Sequence, residues 1–194
     1  DGLEQCRTAE GETVLVHAVG SGVGLAAVQV ARLYGAHTVI GTARSADKLE
    51  RADQFKLDAT INSQQEDFAE RVAELTAQKG ADVILDLVGA TFLEQNIKAA
   101  ALKGRIVTIG LVGGLRAELN LGLLLAKRLE LRGTVLRSRS LAEKAAATRS
   151  FSHRVLAALA SGQVVPVIDS VYPMGEVSEA HKRMEANANF GKIV

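Results

Sequence analysis

Thr13-Val-Leu-Val-His17-Ala-Val-Gly-Ser-Gly-Val-Gly24 is the stretch on which the fold turns. Its first half is a β-branched apolar run of strand length. Its second half is a glycine-rich loop that opens onto a helical pattern from Ser21 to Tyr34. Strand, glycine turn and helix in that order make the first unit of a βαβ fold. The same rhythm continues downstream. Thr38-Val-Ile-Gly-Thr42 precedes a helix from Ser45 to Lys56, with Ser45 at its N-cap, and Ala59-Thr-Ile-Asn62 precedes one from Glu66 to Gln78. Asp82–Val88 precedes Thr91–Ala101, Arg105–Ile109 precedes a short helix over Leu121–Lys127, and Leu129–Leu136 is a sixth strand. Gly35, Gly80 and Gly104 stand where helices are expected to stop. Right-handed crossovers turn six such strands into a doubly wound parallel sheet of the α/β class.

The end of the chain departs from this rhythm. A helix from Leu141 to Ala160, interrupted near Ser150, runs into Gly162, and Val164–Val171 reads as a strand with Pro166 near its start. Glu176–Glu185 is a short helix, and Lys192-Ile-Val194 begins another strand. These strands have no place in the six-stranded sheet. Residues 1–140 are therefore expected to form the nucleotide-binding domain, 141–160 a helical connection, and 161–194 a piece of a second, incomplete domain. A first residue Asp1 and an apolar Gly191-Lys-Ile-Val194 end fit a segment of something longer.

Composition excludes several classes. Of 194 residues, 47% are apolar and 23% charged, a mix that folds around a core instead of staying disordered. Lys+Arg 23 against Asp+Glu 22 leaves a net charge of +1 with no basic block, so no nucleic-acid partner is expected. No apolar run approaches the roughly 18 residues of a membrane span, and no signal-peptide pattern is present. Cys6 is the lone cysteine and cannot form an internal disulfide, which suits a cytoplasmic protein. One cysteine and four scattered histidines (His17, His37, His153, His181) supply no ligand cluster, so no metal is expected.

The loop carries the cofactor signal. Gly20, Gly22 and Gly24, with Ser21 and Val23 between them, let backbone approach a pyrophosphate at the free N–H groups of the following helix. The strict G-x-G-x-x-G spacing is absent, and the plain alternative is a glycine-rich turn with no ligand. The second strand says more. An NAD-binding Rossmann domain usually ends this strand with an Asp or Glu for the adenosine ribose. Here Ile40-Gly-Thr-Ala43 has no acid and Arg44-Ser45 follows, with Lys48 one helical turn on. A carboxylate would repel a 2′-phosphate, whereas Arg, Ser and Lys donate to one. The cofactor expected is NADP; the alternative is an ordinary basic first turn.

The loops after strands four and five, Leu87-Val88-Gly89 and Gly110-Leu111-Val-Gly-Gly114, would also face a dinucleotide at the switch point of the sheet, as would the basic turn Leu136-Arg137-Ser138-Arg139. Each is equally readable as a simple turn. A short-chain dehydrogenase would need Tyr-x-x-x-Lys, but Tyr34 and Tyr172 are followed at that spacing by Thr38 and Glu176. Asp86 reads as a hydrogen-bonded strand-end carboxylate. No catalytic residue stands out.

Taken in order, His17–Gly24 with Ala26-Ala-Val-Gln29, Ile84-Leu-Asp86 with Gly89, Leu136–Arg139, Ala180-His181, Met184–Asn187 and Gly191–Val194 resemble the zeta-crystallin-like NAD(P)H:quinone oxidoreductases. These are zinc-free members of the medium-chain dehydrogenase/reductase superfamily, and the likeness is greatest to the p53-inducible quinone oxidoreductase subgroup. The resemblance implies a Rossmann domain and a C-terminal return into a GroES-like catalytic domain whose N-terminal part lies outside this chain. It further implies that Ser21, Gly22 and Val23 meet the pyrophosphate and that Lys48 meets the 2′-phosphate. A tyrosine of the phosphate pocket is replaced here by Ser63, a C-terminal basic residue by Asn187, and Arg44 stands where close relatives have a small residue.

The implied reaction is hydride transfer from NADPH to a quinone. The alternative substrates are enoyl thioesters or other activated alkenes, and an alternative of another class is an NADPH-binding structural or regulatory module without turnover. The isolated segment is expected to bind cofactor without turning over. Relatives pair their sixth strands across a two-fold axis, so a homodimer through that edge is expected.

Overall fold

The computed structural model describes residues 1–194. Val14, Leu15 and Val16 of β1 (Thr13–Val16) are wholly buried because β1 lies at the centre of the sheet. It is flanked in parallel by β2 (Thr38–Ala43) and β4 (Ala81–Asp86). Outside these lie β3 (Ala59–Asn62) and β5 (Ala100–Thr108), and β6 (Glu130–Gly133) closes one edge. The order is β3-β2-β1-β4-β5-β6, all parallel, which is the doubly wound α/β Rossmann sheet expected from the sequence. The winding reverses between β1 and β4, which is the topological switch point of the sheet.

Helices cover both faces, so every central strand must be apolar on both sides. Val14, Val16, Val39, Val83, Leu85 and Val107 pack with Leu25, Val28 and Ala31 of α2 (Gly22–Leu33), Leu49 and Ala52 of α3 (Ala46–Asp53), and Leu3 of α1 (Gly2–Gln5). Their neighbours Leu15, Ile40, Ile61, Ile84 and Ile106 face Phe68 and Val72 of α4 (Phe68–Leu75) and Ile97 of α5 (Leu93–Ala99). Each fully buried Val, Leu or Ile contributes about 1.5–3 kcal/mol, so the alternating apolar run is itself the fold's main stabilisation. The short α6 (Leu121–Lys127) returns the chain to β6, and Lys127 Nζ donates to the carbonyls of Ile97, Lys98 and Ala100 at the end of α5.

Several boundaries differ from the sequence reading. α5 ends at Ala99, not Ala101, because Ala100 already pairs with Ala81. Gly104 therefore lies inside β5 instead of stopping a helix. It is small because an added Cβ would sit 2.9 Å from Ala101 O. Gly80 is also no helix stop. Ala77 and Gln78 make the left-handed reversal after α4, and Gly80 instead lets the chain pass 2.6 Å (measured from an ideal Cβ) from Ala99 O. Gly35, with φ +83°, does end α2 as expected. β6 is four residues, shorter than the expected Leu129–Leu136.

In the tail, α7 (Leu141–Arg154) and α8 (Leu156–Ala160) break at Val155, five residues beyond the expected site. The expected strand Val164–Val171 contracts to β7 (Ile168–Ser170), since Pro166 has no N–H and Val165 bonds to a side chain of α2 instead of a strand. β7 pairs in parallel with β8 (Lys192–Ile193), and α9 (Val177–Glu185) connects them. Asp169, with its side chain 2% exposed, holds this unit: it accepts from Arg183 Nε at 2.6 Å and from the Phe190 amide at 2.8 Å. Phe190 inserts into the core layer beneath α2 and α3, where the Arg51 guanidinium lies 4.2 Å from its ring centre. No helix is long and apolar enough to cross a membrane.

Candidate functional site: the glycine loop and the segment that crosses it

The strand-to-helix turn after β1 is built around two close approaches. Ser21 is the N-cap of α2, and its Oγ accepts from the Gly24 amide at 3.0 Å. Gly24 is small because a Cβ there would lie 2.4 Å from Ala18 O, so the first helical turn sits directly on the end of β1. The amides of Gly22 and Val23 have no partner in the chain, leaving two donors at the positive end of a twelve-residue helix.

Two lysine stems close over this turn. The Lys48 methylenes lie against Gly20 and those of Lys192 against Gly22, 2.7 Å and 2.6 Å from where Cβ atoms would stand. Gly191 N donates to Gly20 O at 2.9 Å, and Ser21 and Gly191 form a parallel bridge. The Lys48 ammonium, carried on α3, donates to Asn187 O at 2.7 Å and to its Oδ1 at 3.2 Å. Partial burial, and then the charge of nearby Arg44, hold the Lys48 pKa below its ordinary value.

The expected residues thus fall into groups. Gly20, Ser21, Gly22, Val23, Gly24, Lys48 and Asn187 come together. Arg44 is exposed at the end of β2, and Ser45 occupies the N-cap position of α3, though its side chain makes no capping bond. The first turn of α3 is not purely basic, because Asp47 shares it and lies 3.8 Å from Arg51. Ser63 bonds back to the Ala43 carbonyl, through its amide at 3.0 Å and its hydroxyl at 3.3 Å. It therefore stands beside Arg44.

The loops after β4 and β5 lie against each other. Gly113 N donates to Val88 O at 2.7 Å and Ala90 N to Gly114 O at 3.2 Å. Gly89, at φ +89°, leaves only 2.9 Å between an added Cβ and the Leu111 side chain, and Gly110 only 2.5 Å to Leu87 O. The glycines of both loops are thus used for loop-on-loop contact. Asp86 lies beneath them. One carboxylate oxygen accepts from Val88 N at 2.8 Å and Gly89 N at 2.9 Å, as a strand-end carboxylate should. Its other oxygen is buried without a hydrogen-bond partner, and burial pushes its pKa up. Leu136, Arg137 and Ser138 form an exposed turn beyond β6, tied to α7 by Lys144 Nζ on Arg137 O at 2.9 Å. The adjacent Arg139 makes a two-point ion pair with Asp1.

Two features escaped the sequence reading. Lys192 has no local signal linking it to a loop near the other end of the chain. His17 read as one histidine among four, yet it is wholly buried at the root of the glycine loop between the rings of Phe68 and Phe92. Asn96 turns Oδ1 toward Nε2 at 2.6 Å, so Nε2 donates and Nδ1 accepts from Thr42 Oγ1 at 2.8 Å. Burial lowers the His17 pKa to about 4, and the ring is neutral.

Comparison with known proteins places the chain in a family. A family model described as zinc-binding dehydrogenase matches residues 22–152, which begin at the first residue of α2. The chain belongs to the zinc-binding dehydrogenase family. This family lies in the medium-chain dehydrogenase/reductase superfamily reached from the sequence motifs. The chain is 30% identical over 193 residues to a quinone oxidoreductase of Rattus norvegicus, covering 99% of this chain and 56% of that protein. It is 31% identical over 188 residues to a 2-haloacrylate reductase of a Burkholderia species, covering 95% and 55%. A crystal structure of an NAD-dependent alcohol dehydrogenase superposes with a TM-score of 0.85 at 35% identity, covering 99% of this chain and 53% of that one. The chain spans about half the length of the relatives it matches.

Despite the family's name, the residues present do not fit zinc. The matched stretch has His37 as its one histidine and no cysteine, and no three His, Cys, Asp or Glu side chains come together. They do fit an anionic dinucleotide. Two free amides at the N-terminus of α2, a Gly24 with no room for a side chain, and the basic residues Arg44, Lys48 and Lys192 nearby are groups that would suit phosphates.

Proposed function

We propose that this chain is the NADPH-binding part of an oxidoreductase that reduces a quinone. The observation that carries the reading is Lys48 set over the glycine loop, with Arg44 and Ser45 where an NAD-binding domain would place an acid. Ser21, Gly22 and Val23 would hold the pyrophosphate with Lys192 beside it, and Arg44, Ser45 and Lys48 the 2′-phosphate. Ser63 stands next to that group. Val88, Gly89, Gly110, Leu111 and the turn Leu136–Ser138 would border the nicotinamide half. When bound, the dihydronicotinamide supplies a hydride for two-electron reduction. The chain's own task is to fix that group and exclude water. None of its residues is assigned to proton transfer.

The Burkholderia relative, a 2-haloacrylate reductase, favours a second substrate class, an activated alkene in place of a quinone. The half of the relatives' length outside this chain would shape the substrate cleft together with residues 161–194. Two copies are further proposed to associate through β6, whose four residues are all exposed at the sheet edge. An antiparallel pairing centred on Leu131 would set Glu130 opposite Arg132 of the second copy, an attractive cross-strand pair. A sedimentation profile showing only monomer at tens of micromolar would rule this out.

Calorimetric titration with NADPH and NADH tests the cofactor reading. Binding of NADPH at least about tenfold tighter, or about 1.4 kcal/mol, is the expected result. Equal affinities would refute the 2′-phosphate site while leaving the dinucleotide site in place.

A further inference from the structure

We propose that Asn187 is a positioning residue that aims the Lys48 ammonium at the adenosine 2′-phosphate, making the C-terminal segment a determinant of cofactor choice. The proposal rests on the NADPH reading above. Lys48 is a long side chain with several rotatable bonds, and ordering such a chain on ligand binding opposes affinity. Here the ordering is already done. The stem lies along Gly20, and two of the three ammonium N–H groups are directed onto one residue, Asn187, through its backbone carbonyl at 2.7 Å and its side-chain Oδ1 at 3.2 Å. One N–H is left for a ligand.

Asn187 is itself held. Its φ is +53°, a left-handed conformation that asparagine adopts more readily than most side chains. The turn it occupies is tied at both ends to a single carboxylate. Asp169 bonds Arg183 on α9 before it and the Phe190 amide after it. The Phe190 ring anchors the far end in the core. The residue's neutrality matters too. An aspartate would hold the ammonium equally well but place a negative charge where a phosphate must come. Asparagine orients Lys48 and leaves its charge available, together with that of Arg44.

The test is a double-mutant cycle on the full chain, read by calorimetric titration with NADPH and NADH. Asn187→Gly keeps the left-handed turn and the backbone carbonyl while removing Oδ1. It is expected to weaken NADPH about three- to tenfold and leave NADH unchanged. In a Lys48→Ala background the same substitution should cost nothing further, because there is no ammonium left to aim. Equal losses for both dinucleotides, or an undiminished loss in the Lys48→Ala background, would overturn the positioning role. Asn187→Asp, close in shape and tolerant of positive φ, gives a second readout: it should weaken NADPH more than the glycine variant does. An unchanged NADPH affinity there would also overturn the proposal. A wild-type chain that binds NADPH and NADH alike removes the NADPH reading and this proposal together. A selective wild type with an additive cycle removes only the proposal.

Discussion

The side-chain amide of Gln29 pairs with the backbone of Val165 as a strand would. Its Nε2 donates to Val165 O at 3.0 Å, and its Oε1 accepts from Val165 N at 2.8 Å. Gln29 sits on α2, directly downstream of the glycine loop, and Val165 lies in the segment leading to β7. One amide thus joins α2 to the tail that later crosses the loop.

Gln29→Ala removes both bonds and is expected to destabilise the chain by about 1–3 kcal/mol in denaturant unfolding. Hydrogen exchange should show earlier opening of the Lys192 amide, which depends on Val167 O, than of the β1 amides. Uniform loss of protection across both would count against a local grip.

Gly24→Ala forces a Cβ toward Ala18 O on the backbone, where nothing flexible can yield. A loss of about 1–3 kcal/mol in stability is expected, with weaker dinucleotide binding. Gly175→Ala is the control, since nothing lies within 4 Å of the added carbon, and its effect should stay within about 0.5 kcal/mol. Similar effects at both sites would refute the close-packing argument.

His17 makes stability depend on pH. The unfolded chain takes up its proton near the ordinary histidine value of 6.5, whereas burial delays this to about 4 in the folded chain. The unfolded state therefore binds more protons between those values, and stability falls as pH falls through them. The expected loss is about 2 kcal/mol from pH 7 to pH 5. His17→Gln should flatten that part of the profile. A wild-type curve level between pH 5 and 7 would contradict the buried neutral ring.

Asp169 acts at lower pH. Its hydrogen bonds with Arg183, above all, and with Phe190 N hold its pKa well below the ordinary aspartate value of 3.8. The stability it confers is complete above that value and is lost as pH falls below it. Asp169→Asn should remove this acid-dependent part and speed exchange of the Phe190 amide at neutral pH. Unaltered exchange there would show that the tail is held by something else.

The central sheet was readable because β1, β2 and β4 are covered on both faces, and such strands show as unbroken apolar runs. Val164–Val167 has the same composition for a different reason. Its backbone is engaged by Gln29, and no local pattern distinguishes a strand partner from a side-chain amide. Gly104 misled because a helix that passes straight into a strand at Ala99–Ala100 needs no stop residue. In the candidate site, the glycine loop was readable as a turn because strand, turn and helix are consecutive, and Lys48 as part of the first turn of the next helix. Lys192 on Gly22 was not, because that contact joins residues almost a chain length apart.

The crossing of the glycine loop by Gly191 and Lys192 has a consequence for synthesis. The loop is synthesised well before the residues that cover it, and its helix and strand can associate in the interval. A nascent chain can thus own a formed sheet while the glycine loop stands half-covered. Acquisition of dinucleotide affinity would mark the arrival of the tail more sharply than any measure of secondary structure.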